Sequence, residues 1–442
     1  MLNVNKLFST KTLLFLIITI SSIVPLIIWP YGSDYFYYPK ILIIYFVVLL
    51  ALFICFMGYK NRSIEIKFSS EFIAVFLFLL LIILSTVFSQ FKEQSFWGRP
   101  LRWEGALTYL SYFIILYLSY LCSCNIEYIK MIVNCILVSA SIISIYALLQ
   151  YFGLDPISRD SIRASWAFTS FATLGNPNFL GSYISIVFPI SLFLYLWNCK
   201  RLSSIFLFIS SVLTYSALIC ARSRSAWVGV AFSMVIITIF LYKVIIKKYK
   251  KLVLILTALI IVSIGLNNFH GGSISAKFDS LISDYKTVIS KSNEKSTAGS
   301  QRIFIWSRTL DYVFERPLLG SGPDTFEKVF KMSPEEAKFH FESESVYVDK
   351  AHNDYLQIII TMGFPALIIY LIFLTMVIFK SFSNIQKKQY DIYTICLLSG
   401  TIAYIAQAFF NISVVSVAPL FWSVLGLLMG SNNINKNRLL YI

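Results

Sequence analysis

Long apolar stretches recur along the chain from near its first residue to near its last, and they constrain the fold more than any other feature. A stretch of about 18 or more apolar residues can cross a hydrocarbon core of about 30 Å as a helix. The composition agrees, because 57% of the residues are hydrophobic and only 13% are charged, whereas soluble domains contain about 25% charged residues. A soluble fold is therefore excluded.

We predict an all-α polytopic membrane protein with about twelve transmembrane helices and one large helical loop domain outside the cytoplasm. Residues 1–267 would contain transmembrane helices 1 to 9, residues 268–352 the large loop, and residues 353–442 helices 10 to 12 and a cytoplasmic tail. The first apolar stretch is too long for a secretory signal and lacks a cleavage site, so we expect it to remain as a helix. The predicted spans are 13–30, 41–58, 72–89, 106–121, 131–150, 180–197, 203–219, 226–242, 252–267, 355–379, 392–410 and 413–429.

The distribution of basic residues indicates the orientation. With the N-terminus in the cytoplasm, the short loops carry 18 Lys and Arg inside and 8 outside, and cytoplasmic loops carry the excess. We therefore expect both termini in the cytoplasm and the 268–352 segment on the outer face. The net charge of +15 then reflects this topology and attraction to membrane lipids, and nucleic-acid binding is not needed to explain it.

Polar residues that simple hairpins do not require collect in the outer loops. Arg99 and Arg102 lie beside aromatic residues, which suits either an interfacial belt or an anion site. Arg222 and Arg224 stand at the mouth of a short outer hairpin, where they either pair with carboxylates or bind an anionic ligand. Asn178 caps the following helix, or the exposed N–H groups of that helix face an anionic group.

The long outer segment contains further helices. Apolar spacing predicts an amphipathic surface helix at 278–289, followed by a loop at 296–300. A second helix begins near Gln301 and is stopped by Pro317, and a third is capped by Ser333. His352 lies directly before the tenth span, as a capping or interfacial histidine or as a catalytic one, and the outward arginines favour the catalytic interpretation.

This set of residues suits group transfer from a lipid-linked phosphate or pyrophosphate donor. An arginine remains charged and binds two phosphate oxygens at once, so Arg224 and Arg302 are predicted to hold the leaving group. A histidine with a reference pKa of about 6.5 can activate an attacking hydroxyl, which makes His352 the predicted base. The outer loops contain no Asp-x-Asp pair, so we expect no metal and no other cofactor.

The chain resembles the O-antigen ligase and O-antigen polymerase superfamily in motifs that follow the same order and spacing across roughly residues 90–410. These motifs are Gly175-Asn176-Pro177-Asn178, Ser223-Arg224-Ser225-Ala226-Trp227, Arg302 with Trp306, Arg316-Pro317-Leu318-Leu319-Gly320-Ser321-Gly322-Pro323, and Ala351-His352-Asn353-Asp354-Tyr355-Leu356-Gln357.

The resemblance implies a bacterial glycosyltransferase of the cytoplasmic membrane. Its donor would be an undecaprenyl-pyrophosphate-linked glycan, its acceptor a lipid, glycan or protein hydroxyl, and it would need neither ATP nor a metal. The family's essential histidine falls on His352, and its arginines fall on Arg224 and Arg302. Direct displacement would invert the anomeric carbon. Further substrate contacts are predicted from Arg222, Arg99, Arg102, Asn176, Asn178, Asn353 and Gln357.

Several functions remain compatible with the sequence. Within the superfamily, members join a glycan to lipid A core, polymerise glycans or glycosylate proteins. From another class, a flippase would move the lipid-linked glycan without processing it, but the polar residues are massed on one side rather than along a two-sided cavity. A non-catalytic scaffold of an envelope assembly would make His352 and Arg224 dispensable.

Overall fold

The structure is a computed structural model that describes residues 8–32, 34–157, 169–272, 274–277, 279 and 301–433. Within these ranges the secondary structure is helical and no β-strand occurs. The helices used below are α1 (Thr10–Ile18), α2 (Tyr38–Lys60), α3 (Glu71–Phe88), α4 (Lys92–Trp97), α5 (Ala106–Cys122), α6 (Ile126–Tyr151), α7 (Pro177–Trp197), α8 (Arg201–Cys220), α9 (Arg224–Ile246), α10 (Tyr249–Phe269), α11 (Arg302–Val313), α12 (Phe326–Val329), α13 (Pro334–Phe341), α14 (Asp354–Met362), α15 (Phe364–Gln386), α16 (Ile392–Ala408) and α17 (Ala418–Ser431).

Eight of the described helices are long and apolar enough to cross a bilayer, namely α2, α3, α6, α7, α8, α9, α10 and α15. The chain is thus a multi-pass membrane protein, as predicted. Four shorter apolar helices lie where the other spans are expected: α5, α16, α17, and α1 with its continuation to Leu26 through a π turn and a 3-10 turn. The number of twelve spans stays a prediction.

Three predicted spans differ from the structure. The span expected at 355–379 consists of two helices, because the chain breaks at Gly363 between α14 and α15. The spans expected at 392–410 and 413–429 correspond to α16, which ends at Ala408, and α17, which begins at Ala418. Residues 409–417 form a non-helical connection between them. Apolar composition alone did not reveal the break or the connection, because the residues around Gly363 and residues 409–417 are themselves largely apolar.

Two helices predicted within the large loop are present, whereas the loop's bounds and its place outside the cytoplasm stay predictions. The helix predicted from near Gln301 is α11, and the Ser333 cap is present as a full capping box with Glu336 at the start of α13. The amphipathic helix expected at 278–289 and the loop at 296–300 lie outside the described residues.

Helix α7 occupies the centre of the bundle. In its most apolar 18-residue stretch, 100% of the residues are buried inside the protein, compared with 17% in the corresponding stretch of α10. Small residues permit this close packing. Gly181 of α7 lies against Ser223 and Ala226 at the start of α9, and Gly400 of α16 lies against the backbone carbonyl of Ile186 in α7. The N-terminus of α7 is therefore held next to that of α9.

Contacts between segments identify two ends of the bundle. At one end Glu71 at the start of α3 pairs with Lys380 near the end of α15, with 2.8 Å between the charged atoms. At the same end Asn384 Nδ2 donates to the carbonyl of Asn432, over 3.0 Å. The segments 98–105, 317–325 and 347–354 meet at the opposite end.

Residues 317–322 of the large loop dock on the break between α14 and α15. The Gly322 N–H donates to Thr361 O over 2.8 Å, and the Phe364 N–H donates to Pro317 O over 2.8 Å. Gly320 and Gly322 both have positive φ angles, +64° and +113°, which residues other than glycine rarely adopt. A side chain at Gly320 would also collide with the backbone of Thr361.

We expect Gly320→Ala to destabilise the folded protein by about 1–3 kcal/mol or more, because it combines a left-handed backbone with a backbone collision. Thermal unfolding of the detergent-solubilised protein measures this as a lower midpoint. The matched control is Gly265→Ala in α10, where an added Cβ meets nothing within 4 Å. Equal midpoints for the two variants would contradict the docking role of Gly320.

Candidate functional site

His352 stands in a short segment that is held on both sides. Its φ is +50°, in the left-handed region. Before it, the Ala351 N–H donates to Gln357 Oε1 over 2.9 Å, and the Ala351 carbonyl accepts from Trp306 Nε1 over 3.0 Å. After it, the Asn353 side chain caps α14 by accepting from the first N–H groups of that helix. Asn353 and Gln357, both predicted substrate contacts, therefore shape the segment around His352.

Several charged groups act on the His352 imidazole. Burial is the largest cause that lowers the pKa of His352 to about 4, and the positive charges of Arg302, Arg102 and Lys350 act in the same direction. Asp349 opposes this shift. The structure thus places two predicted site residues, Arg302 and Arg102, close enough to His352 to act on it, and the imidazole is neutral near pH 7.

Arg99 and Arg102 converge on one carboxylate. Asp349 Oδ2 lies 2.9 Å from Arg99 Nη1 and 2.7 Å from Arg102 Nη2. Arg99 also pairs through Nε with Glu327, at 2.7 Å. The Arg102 guanidinium lies over the ring of Phe179 in α7, at 5.8 Å from its centroid. Both arginines therefore hold the 98–105 loop against the large loop, and Arg102 also reaches the N-terminus of α7.

A second ion-pair group lies beneath these arginines. Lys350 Nζ is 2.7 Å from Asp324 Oδ1 and 3.3 Å from Glu104 Oε2. Burial disfavours charge on Lys350, but Asp324 and then Glu104 raise its pKa above the ordinary value. Glu104 Oε1 also accepts from the Ser413 hydroxyl over 2.7 Å. The group joins three loops to the connection between α16 and α17.

Arg224 is the first residue of α9, next to the capped start of α7. Asn176 Oδ1 accepts from the Asn178 N–H over 2.8 Å and caps α7. The predicted cap, Asn178, is wrong, because α7 begins at Pro177 and Asn178 is its second residue. Asn178 Oδ1 in turn accepts from the Ser223 hydroxyl over 3.1 Å. The two helix N-termini, each with backbone N–H groups that favour an anion, are thereby held side by side.

Arg222 takes a different position in the same turn. Its φ is +49°, and its guanidinium lies over the Tyr151 ring at 5.9 Å from the centroid. Tyr151 is the last residue of α6, and its hydroxyl donates to the carbonyl of Leu266 in α10 over 2.8 Å. Arg222 therefore contacts the α6 and α10 side of the bundle.

Direct contacts connect the surroundings of Arg302 with those of Arg224. Trp306, one turn after Arg302 in α11, packs on Phe410 with 6.1 Å between ring centroids. The next residue, Asn411, donates through Nδ2 to the carbonyl of Asn178 over 3.2 Å. Asn178 bonds the turn that precedes Arg224. The two arginine sites thus share one framework at the end of the bundle.

Several residues of this framework were not predicted, above all Asp324, Asp349 and Lys350. The sequence offers two indications of their pairing. Asp349 and Lys350 closely precede His352, and the 98–105 loop carries charges of both signs. Their pairing could not be assigned from one sequence. Among the residues that the structure describes, no group of three or more His, Cys, Asp or Glu is arranged to hold a metal ion.

These features define a multi-pass helical membrane protein with a cluster of charged residues near His352 at one end of its bundle. Residues 209–371 match the family model described as O-Antigen ligase, which confirms the predicted resemblance to the O-antigen ligase superfamily.

A general O-oligosaccharyltransferase of Acinetobacter baylyi is 23% identical over 269 residues, which are 60% of this chain and 44% of that relative. The match therefore spans less than half of the relative's length.

We expect His352 to remain neutral to well below the ordinary titration range of histidine, because burial and nearby cations disfavour its charged form. Histidine-selective NMR of the solubilised protein can measure this, since the chain has three histidines and His352→Gln identifies the relevant signal. The midpoint should lie near pH 4, and a midpoint near about pH 6.5 would contradict the described surroundings.

Proposed function

We propose that this protein is a membrane glycosyltransferase that moves a glycan from an undecaprenyl-pyrophosphate-linked donor to an acceptor hydroxyl. The observation that carries the proposal is a buried histidine held in place by Gln357, Trp306 and Asn353, with Arg302 the strongest of the cations that act on it. Such a site favours an anionic donor and keeps a base unprotonated beside it. The match of residues 209–371 to the O-Antigen ligase model supports it.

In the proposed reaction, Arg224 and Arg302 bind the pyrophosphate and His352 activates the acceptor. The acceptor oxygen forms a bond to the anomeric carbon while the bond from that carbon to the pyrophosphate oxygen breaks. The acceptor proton passes to the His352 imidazole, and the bond electrons leave with the polyprenyl pyrophosphate. Two positive charges beside the leaving group stabilise the negative charge that develops on it. No metal takes part, and direct displacement inverts the anomeric carbon.

We place this site on the outer face of a bacterial cytoplasmic membrane, with both termini in the cytoplasm. The short loops on the predicted inner side carry the excess of basic residues. The contacts Glu71–Lys380 and Asn384–Asn432 support a common side for those loops, whereas the site loops contact one another at the other end.

A protein hydroxyl is one acceptor that the comparisons support, beside the lipid acceptor of a ligase. The relative from Acinetobacter baylyi is named a general O-oligosaccharyltransferase. A lipid or a growing glycan as acceptor, giving a ligase or polymerase, uses the same donor chemistry. Assays with each class of acceptor separate the three.

We expect His352→Ala, Arg224→Ala and Arg302→Ala each to lower transfer by about 100-fold or more, because each removes a group that acts on the reacting atoms. Transfer of a polyprenyl-pyrophosphate-linked glycan in proteoliposomes measures this at matched expression. The control is Arg308→Ala, which removes an arginine from the same helix as Arg302. Arg308 is 39% exposed and lies 3.6 Å from Asp311, so this variant should remain active.

Full activity in the three site variants would refute the assigned roles. A product with retained anomeric configuration would refute direct displacement. If the wild-type protein transfers no glycan to any acceptor class but moves the donor across the bilayer, the flippase replaces the proposed function.

A further inference from the structure

Lys350 is buried where three segments of the chain meet. The exposed fraction of its side chain is 3%, and its partners Glu104 and Asp324 are 3% and 1% exposed. Asp324 Oδ2 also accepts from the backbone N–H groups of Arg99 and Glu104, at 2.7 and 3.1 Å. Lys350 thus connects the 98–105 loop, the 320–325 turn and the segment that carries His352.

Charges buried in this way contribute little to stability. Removing them from water costs free energy that their attraction barely offsets, and well-packed apolar residues of similar size often do as well. A buried ion pair does, however, fix the relative position of the segments that carry it, because either partner left alone would be a buried uncompensated charge. The three charges therefore define one arrangement of the loops.

The segment after Lys350 needs such an anchor. His352 lies in the left-handed region at φ +50°, which non-glycine residues adopt only where their surroundings enforce it. The Ala351 N–H and carbonyl are each held by a side chain, from Gln357 and Trp306. Lys350 adds the contact on the N-terminal side, and the Asn353 cap adds the one on the C-terminal side.

We propose that Lys350 is a positioning residue that holds His352 in place through its ion pairs with Glu104 and Asp324, an inference that rests on the proposed role of His352 as the base. Lys350 does not contact substrate in this proposal. It determines where the imidazole stands relative to the acceptor, and a displacement of about 1 Å at a reacting group can reduce a rate roughly 100-fold.

Lys350 also contributes to the charge around His352. The charged groups that act on the imidazole are Arg302 of α11, Arg102 of the 98–105 loop, and Asp349 and Lys350 of its own segment. Removing the Lys350 charge leaves the other three in place. The pKa of His352 should then rise, because one of the cations that disfavour the imidazolium is gone.

The test compares Lys350→Met with the wild type by transfer kinetics and by histidine-selective NMR. We expect kcat to fall roughly 10- to 100-fold while KM for the donor changes by less than about 3-fold, because the arginines that bind the donor are intact. The NMR titration midpoint of His352 should move to higher pH. Lys338→Met is the control, since Lys338 is 70% exposed and pairs with the surface residue Glu344.

A second variant separates positioning from stability. Lys350→Met with Glu104→Gln removes one charge of each sign with side chains of similar size, so the net charge of the group is unchanged. We expect this double variant to recover part of the thermal stability lost in Lys350→Met, since Asp324 stays charged but keeps its two backbone N–H donors, while kcat stays low. Recovery of both stability and kcat would overturn the positioning role.

The inference would also be overturned if Lys350→Met showed the same kinetics and the same His352 titration midpoint as the wild type. A wild-type protein that transfers no glycan would instead defeat the proposed function, and the NMR comparison would still decide whether Lys350 sets the surroundings of His352.

Discussion

The pairing of buried charges at the ends of the helices is the constraint on which the site depends. Charged groups at a membrane boundary lose water on folding and must find partners within the protein. Asp349 satisfies this for Arg99 and Arg102, and Lys350 satisfies it for Glu104 and Asp324. Because each pair joins residues of different loops, the loops have one common arrangement. The surroundings of His352 are a consequence of that arrangement.

Backbone geometry is a second constraint on the position of the large loop, besides the ion pairs. The predicted tenth span is broken at Gly363, where φ is +89°, and the large loop bonds to the exposed backbone at this break. An unbroken helix would offer no free N–H or carbonyl groups for residues 317–322. The break therefore fixes the loop at the C-terminal end of α14, while the ion pairs fix it at the N-terminal end of the same helix.

The sequence predicted the helices better than the contacts between them, for a physical reason. Apolar length and capping are local signals, so α13 with its Ser333 cap lies where the pattern indicates, and α7 begins three residues before its predicted start with Asn176 as the cap in place of Asn178. The partner of Arg99 is 250 residues away along the chain, and nothing in a single sequence reports such a pair. For this reason Arg99 and Arg102 were predicted as ligands, whereas in the structure they bind Asp349, a residue outside the prediction. The roles of His352, Arg224 and Arg302 stay predictions that the geometry supports.

The low proton affinity of His352 has a consequence for the proposed reaction. With Arg302, Arg102 and Lys350 nearby, the imidazole is a weak base. A bound pyrophosphate would bring negative charge next to the same cations and offset their effect on the imidazole, which raises its proton affinity. The base would therefore become effective when the donor is present and remain weak when it is absent. In the proposed reaction, donor binding and acceptor activation would then be coupled through charge. This coupling requires that His352 and the arginines share one low-dielectric site, which is the arrangement that the buried ion pairs hold in place.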